Sequence, residues 1–429
     1  MTQFLKPIYV VLLNTMFLFS IPCKAEWRFI NDRPSQAKDM IPDRVIDSLS
    51  TIIVNLIGDK KIIGLGEGTH GTSEFNKIRS SVSKKLVIQK GFKYVCFEDN
   101  FGEIFLFSTQ QNAKNIVDKK VLHDLMQEHF FSLYQNQETQ DFISWLIRYN
   151  RENRKEPITF MGIDYAEAFH TVEILRNSTS NIEECKDLFD RLKSDAAYID
   201  SCRNSQSILD RKLWLKKGIE SYDLIDSIQK IAITKKGSES PFNLSIVNIR
   251  LCFETFNRYR LKAIEPSRDS LLYGMVKQLK ECDNNAKILI WAHNGHVAKG
   301  EFFEGEKAMG NYLKDSYPNQ YFSIGTLTSE GKYQVTKDLF PTRYNRFFPI
   351  KLQKPVSGSV ERYLQKEGKD KLVVYPGSFG KSDFFNEKVF VRVAGYNFTK
   401  ANTFREIDLW SCFDALVYFR KTNPSSLFH

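Results

Sequence analysis

Several things a hydrolase or a nucleic-acid binder usually carries are missing from this 429-residue chain. No Gly-x-Ser-x-Gly elbow occurs, and none of the seven cysteines has a histidine as its neighbour. A reaction built on a nucleophilic serine or cysteine is therefore weakly supported. The cysteines are far apart and never take the paired spacing of a zinc site. Basic residues cluster no further than pairs such as Lys60-Lys61 and Lys235-Lys236, so the formal charge of +10 is spread along the chain. This argues against nucleic acid as a partner and leaves a general attraction to anionic surfaces. Repeats and low-complexity tracts are absent, which sets aside collagen and an extended coiled coil.

What is present describes a globular protein with a real core. Hydrophobic residues make up 42% and charged residues 26%, and phenylalanine is abundant at 34. At the N-terminus, Lys6 precedes the apolar stretch Pro7 to Ser20, and Cys23-Lys24-Ala25 follows. A charged start, a short apolar run and a small-residue cleavage site form the pattern of a secretory signal peptide, expected over residues 1–25. Its removal would take away two lysines and no acid, leaving a charge of +8 and an exported, periplasmic or extracellular protein. Export permits disulfides, and Cys185 with Cys202 is the pair that a helical hairpin would bring together. No later segment reads as a membrane span.

Apolar runs of strand length alternate with helical periodicity. Lys61–Leu65, Tyr94–Glu98, Ile158–Asp164 and Lys287–Ala292 read as buried strands, with a helix between the first two from Phe75 to a stop at Gly91. These features predict an α/β fold with a mostly parallel central sheet covered by helices. Later strands are expected at Tyr321–Leu327 and Lys371–Tyr375, with Val389–Val393 and Ala415–Phe419 closing the sheet. From Val172 to Ala263 the chain changes to helices rich in Lys, Glu and Asp. This predicts a helical insertion at 172–263 between two α/β parts at 26–171 and 264–429.

Each of the first four strands ends in polar chemistry. Glu67 and His70 follow the first in Gly66-Glu67-Gly68-Thr69-His70-Gly71, Glu98 ends the second, Asp164 the third, and His293 and His296 follow the fourth. In a parallel sheet such strand ends converge on one site. Histidines beside carboxylates can activate water, and the same set could hold a metal.

These residues carry a family resemblance. Gly64-Leu65-Gly66-Glu67-Gly68-Thr69-His70-Gly71-Thr72-Ser73-Glu74-Phe75, with Arg79 beyond it, resembles the signature of the erythromycin esterase family. The match continues through Val95–Glu98, Gly162–Asp164, Arg268-Asp269, Trp291–Val297, Gly310 and the Tyr321–Gly325 strand, in family order across residues 58 to 420. Gly68 stands where the family's signature has alanine, a minor change that leaves the polar residues in place.

The resemblance implies opening of an ester or lactone by water, with no metal, cofactor or covalent intermediate. His70 would be the general base, with Glu67 and Glu98 positioning and polarising the water. His293 would polarise the carbonyl or assist proton transfer, and Arg79 and Arg268 would hold acids or stabilise the oxyanion. His296, Asp164, Glu74 and His123 are expected to bind substrate or support the site. The implied partner is a small-molecule ester or lactone, macrolides among the candidates. Two other readings stay open: a metal-dependent hydrolase using Glu67, His70, Glu98 or His293, and a non-enzymatic envelope protein binding a flat ligand such as haem.

Overall fold

The computed structural model describes residues 41–428 apart from 115–117, 179–181, 206, 237–239, 265, 339–341, 379–382 and 398–402. The expected signal peptide therefore lies outside the described residues. A helix, α1 (Asp43–Ile57), leads into the first βαβ unit, formed by β1 (Ile62–Glu67), α2 (Ser73–Lys90) and β2 (Tyr94–Asn100). Gly91 ends α2 in the left-handed region, at φ 65°, where its N–H caps the Val87 carbonyl. Helices α3 (Phe101–Lys114), α4 (Lys119–His129) and α5 (Gln137–Glu152) precede β3 (Thr159–Asp164). Then come α6 (Phe169–Ser178), α7 (Lys186–Asn204), α8 (Arg211–Lys236), α9 (Ser240–Leu261) and α10 (Arg268–Cys282). The second half holds β4 (Ile288–His293), α11 (Asn294–Val297), α12 (Met309–Ser316), β5 (Tyr321–Thr336), β6 (Phe347–Lys351), α13 (Val360–Lys366) and β7 (Lys371–Val374). It closes with β8 (Val389–Val393), β9 (Thr403–Ile407), α14 (Leu409–Cys412) and β10 (Ala415–Thr422).

The main sheet runs β3-β2-β4-β1-β5-β10-β7, with β6 pairing the far end of β5. All pairings from β3 to β10 are parallel, and only β7 and β6 are antiparallel. Helices cover both faces, which is why the strands read as unbroken apolar runs. Ile63, Leu65, Leu289 and Trp291 enter one core layer, and Ile62, Ile288, Ile290 and Ala292 the other. Helices α6 to α9 bury a third cluster of their own, including Leu175, Leu192, Ile225 and Phe253.

The α/β fold with a mostly parallel sheet is as the sequence predicts, with two local differences. Val389–Val393 does not join the main sheet, because both edges of β10 are already taken by β5 and β7, and it pairs instead with Thr403–Ile407. Cys185 and Cys202 are not joined by a disulfide. They lie at opposite ends of one helix, Lys186–Asn204, rather than across a hairpin. That helix is about 28 Å long at 1.5 Å per residue, far beyond the roughly 7 Å between Cα atoms that a disulfide tolerates.

Residues 423–428 return to brace the loop after β1. Ser73 N donates to Asn423 O and Ser425 N to Gly71 O, each at 2.9 Å, while Gln137 N donates to Ser426 O at 2.8 Å. We expect both Cys185 and Cys202 to take an alkylating reagent when the protein is denatured without reductant, read by peptide mass. Protection of both until reductant is added would show a disulfide and a different packing of α7.

Candidate active site

The site sits where β3, β2, β4 and β1 end side by side. Glu67 and His293 are direct partners in the β1–β4 ladder, and Asn100 faces Asp164 across β2 and β3. The register of β2 against β3 breaks between Phe97 and Asn100. Such an irregularity re-aims a side chain, and here it turns Glu98 toward β4, where Oε2 accepts the His293 N–H at 2.8 Å. The loop after β1 is compressed. Gly68 N–H donates to Thr326 Oγ1 at 2.9 Å, and a Cβ on Gly68 would lie 2.3 Å from the Thr326 carbonyl oxygen. Gly71 then takes φ +68°, a left-handed turn that starts α2.

Glu67 is 1% exposed and shared by two partners. His70 Nδ1 lies 2.7 Å from Oε1, and Arg79 Nη2 donates to Oε2 at 3.0 Å. A carboxylate only accepts, so Nδ1 of His70 carries the proton and the lone pair of the neutral ring is on Nε2. Arg79 is itself buried, bonded to Asn76 and stacked 4.7 Å above the Trp291 ring. Two of its nitrogens have no hydrogen-bond partner among the described residues, so the indole face carries part of the guanidinium's compensation.

His293 has the opposite tautomer. Its Nδ1 accepts the Gly295 N–H at 3.2 Å, which leaves the proton on Nε2. That atom is buried without a hydrogen-bond partner among the described residues. An interaction with the Ala394 backbone favours the charged ring slightly, but it falls outside hydrogen-bond geometry. Burial, helped by the charges of His70 and His296, presses the His293 imidazolium well below its ordinary range, so the ring is neutral. Its centroid is 4.9 Å from that of His70.

A second charged group stands behind His293. Arg268 donates to Glu98 Oε1 at 3.1 Å and to Asp164 Oδ2. His296 lies between two acids, with Nδ1 2.8 Å from Asp269 Oδ1 and Nε2 3.2 Å from Glu98 Oε1. Arg268 Nη1 is also 3.1 Å from His296 Nε2, a bond only a neutral ring could accept. Flanked by two carboxylates, the ring is cationic, and the arginine contact is two cations meeting on one acceptor. Burial opposes that charge, yet Asp269 and Glu98 raise His296 to about 10. Burial would likewise raise Glu98, but His296 and Arg268 hold it well below the usual carboxylate range.

Thus Glu67, His70, Arg79, Glu98, Asp164, Arg268, His293 and His296 are brought together. Glu74 and His123 are not part of this group. Glu74 accepts from Asn423 N at 2.8 Å and Asn423 Nδ2 at 2.9 Å. His123 stacks on Phe428 at 4.1 Å. Sequence reading missed Asp269 as a partner, although it adjoins Arg268. It also missed Tyr396, whose ring lies 5.8 Å from His70 on a segment without periodicity. A further buried acid outside this group, Glu103, is met by His129 at 2.9 Å, by His170 and by Arg343. It ties α3 and α4 to α6 and to the chain beyond β5. Among the described residues, no group of three or more His, Cys, Asp or Glu is arranged to hold a metal ion.

Two expectations follow. Because His296 titrates higher folded than unfolded, its contribution to stability is complete below pH 6.5 and is lost as the pH rises through about 10. Urea denaturation from pH 6 to 10.5 should show this decline, and His296→Asn should flatten it. Gly68→Ala should cost about 1–3 kcal/mol by overpacking, seen as a lower denaturation midpoint.

Comparison with known proteins agrees with this architecture. Residues 87–422 match the family model described as erythromycin esterase. Erythromycin esterase type II of Escherichia coli is 25% identical over 378 residues, spanning 79% of this chain and 85% of that protein. A putative hydrolase of Bacillus subtilis (strain 168) is 21% identical over 345 residues, spanning 71% and 72%. Among solved structures, a succinoglycan biosynthesis protein superposes with a TM-score of 0.68 at 19% identity, covering 90% of this chain and 98% of its own. A histidine-to-asparagine mutant of erythromycin esterase EreC, in its open conformation, gives 0.64 at 18% identity, covering 87% and 94%. The chain belongs to the erythromycin esterase family, a family of ester hydrolases.

Proposed function

We propose that this protein hydrolyses a carboxylic ester or lactone by direct addition of water, with His70 as general base. One observation carries the reading: two adjacent histidines with complementary Nε2 atoms. The lone pair of His70 Nε2 is set by Glu67, and the N–H of His293 Nε2 is set by Gly295. Water placed between them and a bound carbonyl would lose its proton to His70 as its oxygen attacks. The carbonyl oxygen, becoming negative, would accept from His293. Protonated His70 then returns the proton to the leaving alkoxide.

The remaining residues support this pair. Glu67 stabilises the His70 imidazolium, and Arg79 holds Glu67. Glu98 fixes the His293 backbone, and its own position depends on Arg268, His296 and Asp164. A water-based mechanism without metal agrees with how the acids are used. Both oxygens of Glu67 and both of Glu98 are already engaged by cations or N–H groups. A metal would have to displace those partners.

The helices of 172–263, read as an insertion between parts 26–171 and 264–429, would border the cleft beside Tyr165 and Arg268. Export is supported by the pattern at residues 1–25. Among the described residues, no helix is long and apolar enough to cross a membrane.

The test is a mass-spectrometric screen of fourteen-membered macrolides, other lactones and simple esters, with metal content measured on the same sample. We expect the mass of one water to be gained, unaffected by chelator. His70→Ala should lower the rate by at least about 10²-fold, the lower range for general-base catalysis. Full activity in that variant would overturn the role of His70, and loss of activity to chelator would overturn the metal-free mechanism.

A further inference from the structure

The proposed chemistry leaves one requirement unmet. A tetrahedral oxyanion is ordinarily held by two donors, and His293 Nε2 supplies one. The segment between β8 and β9 places a second candidate at the same loop. Ala394 N–H donates to Gly68 O at 3.3 Å, and Thr69 forms a parallel bridge with Ala394. Two residues on, Thr336 N–H donates to Tyr396 O at 2.8 Å, and Asn397 Nδ2 donates to Asp338 O at 2.7 Å. Residue 396 is thus fixed by its backbone from two sides, against the end of β5 and against the loop bearing Glu67 and His70. None of these bonds uses the Tyr396 side chain.

The ring of Tyr396 lies 5.8 Å from that of His70, tilted by 50°. Its hydroxyl feels the charges of Arg268, Arg203, Glu98 and Asp164. Tyr396 is only partly buried, whereas His70, His293 and Glu67 are nearly sealed. Its ring therefore borders the sealed histidine pair on a side that solvent reaches. Burial raises its phenol to about 12, with the charges of Arg268 and Arg203 opposing the rise. At neutral pH the group keeps its proton and can donate.

Resting on the reading of His70 as general base, we propose that the Tyr396 hydroxyl is the second donor to the oxyanion. As the water oxygen bonds to the carbonyl carbon, the π pair moves to the carbonyl oxygen and the water proton to His70. Tyr396 and His293 hydrogen-bond that oxygen and keep their protons. When the carbon–oxygen bond to the leaving group breaks, the pair returns to re-form the carbonyl and His70 protonates the alkoxide. Arg203, on α7, adds positive potential at the phenol.

The experiment uses Tyr396→Phe in the full chain with two probes. The first is p-nitrophenyl butyrate. We expect kcat to fall about 10²-fold, the usual loss of one oxyanion donor, with KM changed less than threefold. The second is the monomethyl ester of phenylphosphonic acid, a tetrahedral anion, titrated calorimetrically against planar benzoate. Tyr396→Phe should bind the phosphonate at least tenfold more weakly and benzoate equally well. An unchanged melting temperature would confirm that the fold is intact, since every backbone bond of residue 396 survives the change. Equal phosphonate affinity in both proteins, or no phosphonate binding by the wild type, would overturn the assignment. Should no ester turn over while the phosphonate difference holds, the hydrolase reading fails and the Tyr396 donor stands.

Discussion

A carboxylate buried at the end of the central strand sets the terms for the rest of the site. Glu67 cannot stay ionised at 1% exposure without compensation. The compensation comes from two directions, an imidazole three residues on and a guanidinium from the following helix. The guanidinium must in turn be supported, and the Trp291 indole on the neighbouring strand does so. One buried charge therefore couples β1, α2 and β4. Removing a single member would leave an uncompensated ion, the situation in which buried pairs are most costly.

The same logic repeats on the other side of the strand ends and explains how two neighbouring histidines hold different protonation states. His296 is flanked by Asp269 and Glu98 and is a cation. His293, whose ring centroid is 6.4 Å from that of His296, has no acid on its ring and is neutral. Glu98 separates the two roles by giving one oxygen to the charge network and the other to the His293 backbone N–H. Positive charge is thus kept close to the place where an oxyanion would form, without a protonated ring occupying it.

Much of this was legible in the sequence because strand ends announce themselves. An apolar run that stops at a glycine or an acid marks both the strand and its chemistry, and Glu67, Glu98, Asp164 and His293 were found in that way. Pairing was less legible. Val389–Val393 has the composition of a sheet strand, but which edge it joins depends on which edges are already filled. The false hairpin of Cys185 and Cys202 has a related origin, since helical periodicity does not show where one helix ends. Gly68 reads as a minor change from alanine in the sequence, but Thr326, 258 residues away, rests on it. Tyr396 carries no local signal at all, because its position is given by bonds to β5 and to the loop after β1.

The bracing of that loop by residues 423–428 has a consequence for how the protein is made. The bonds of Asn423 to Glu74 span 349 residues of sequence. While the chain emerges from the ribosome, β1 and its loop appear well before the segment that holds the loop in place, 349 residues further along. Contacts of such separation form late, after the sheet that reduces their entropic cost. A nascent chain would pass through a stage with a folded β1–β4 core and an unsecured loop. Ester chemistry would then begin only once the whole molecule had closed.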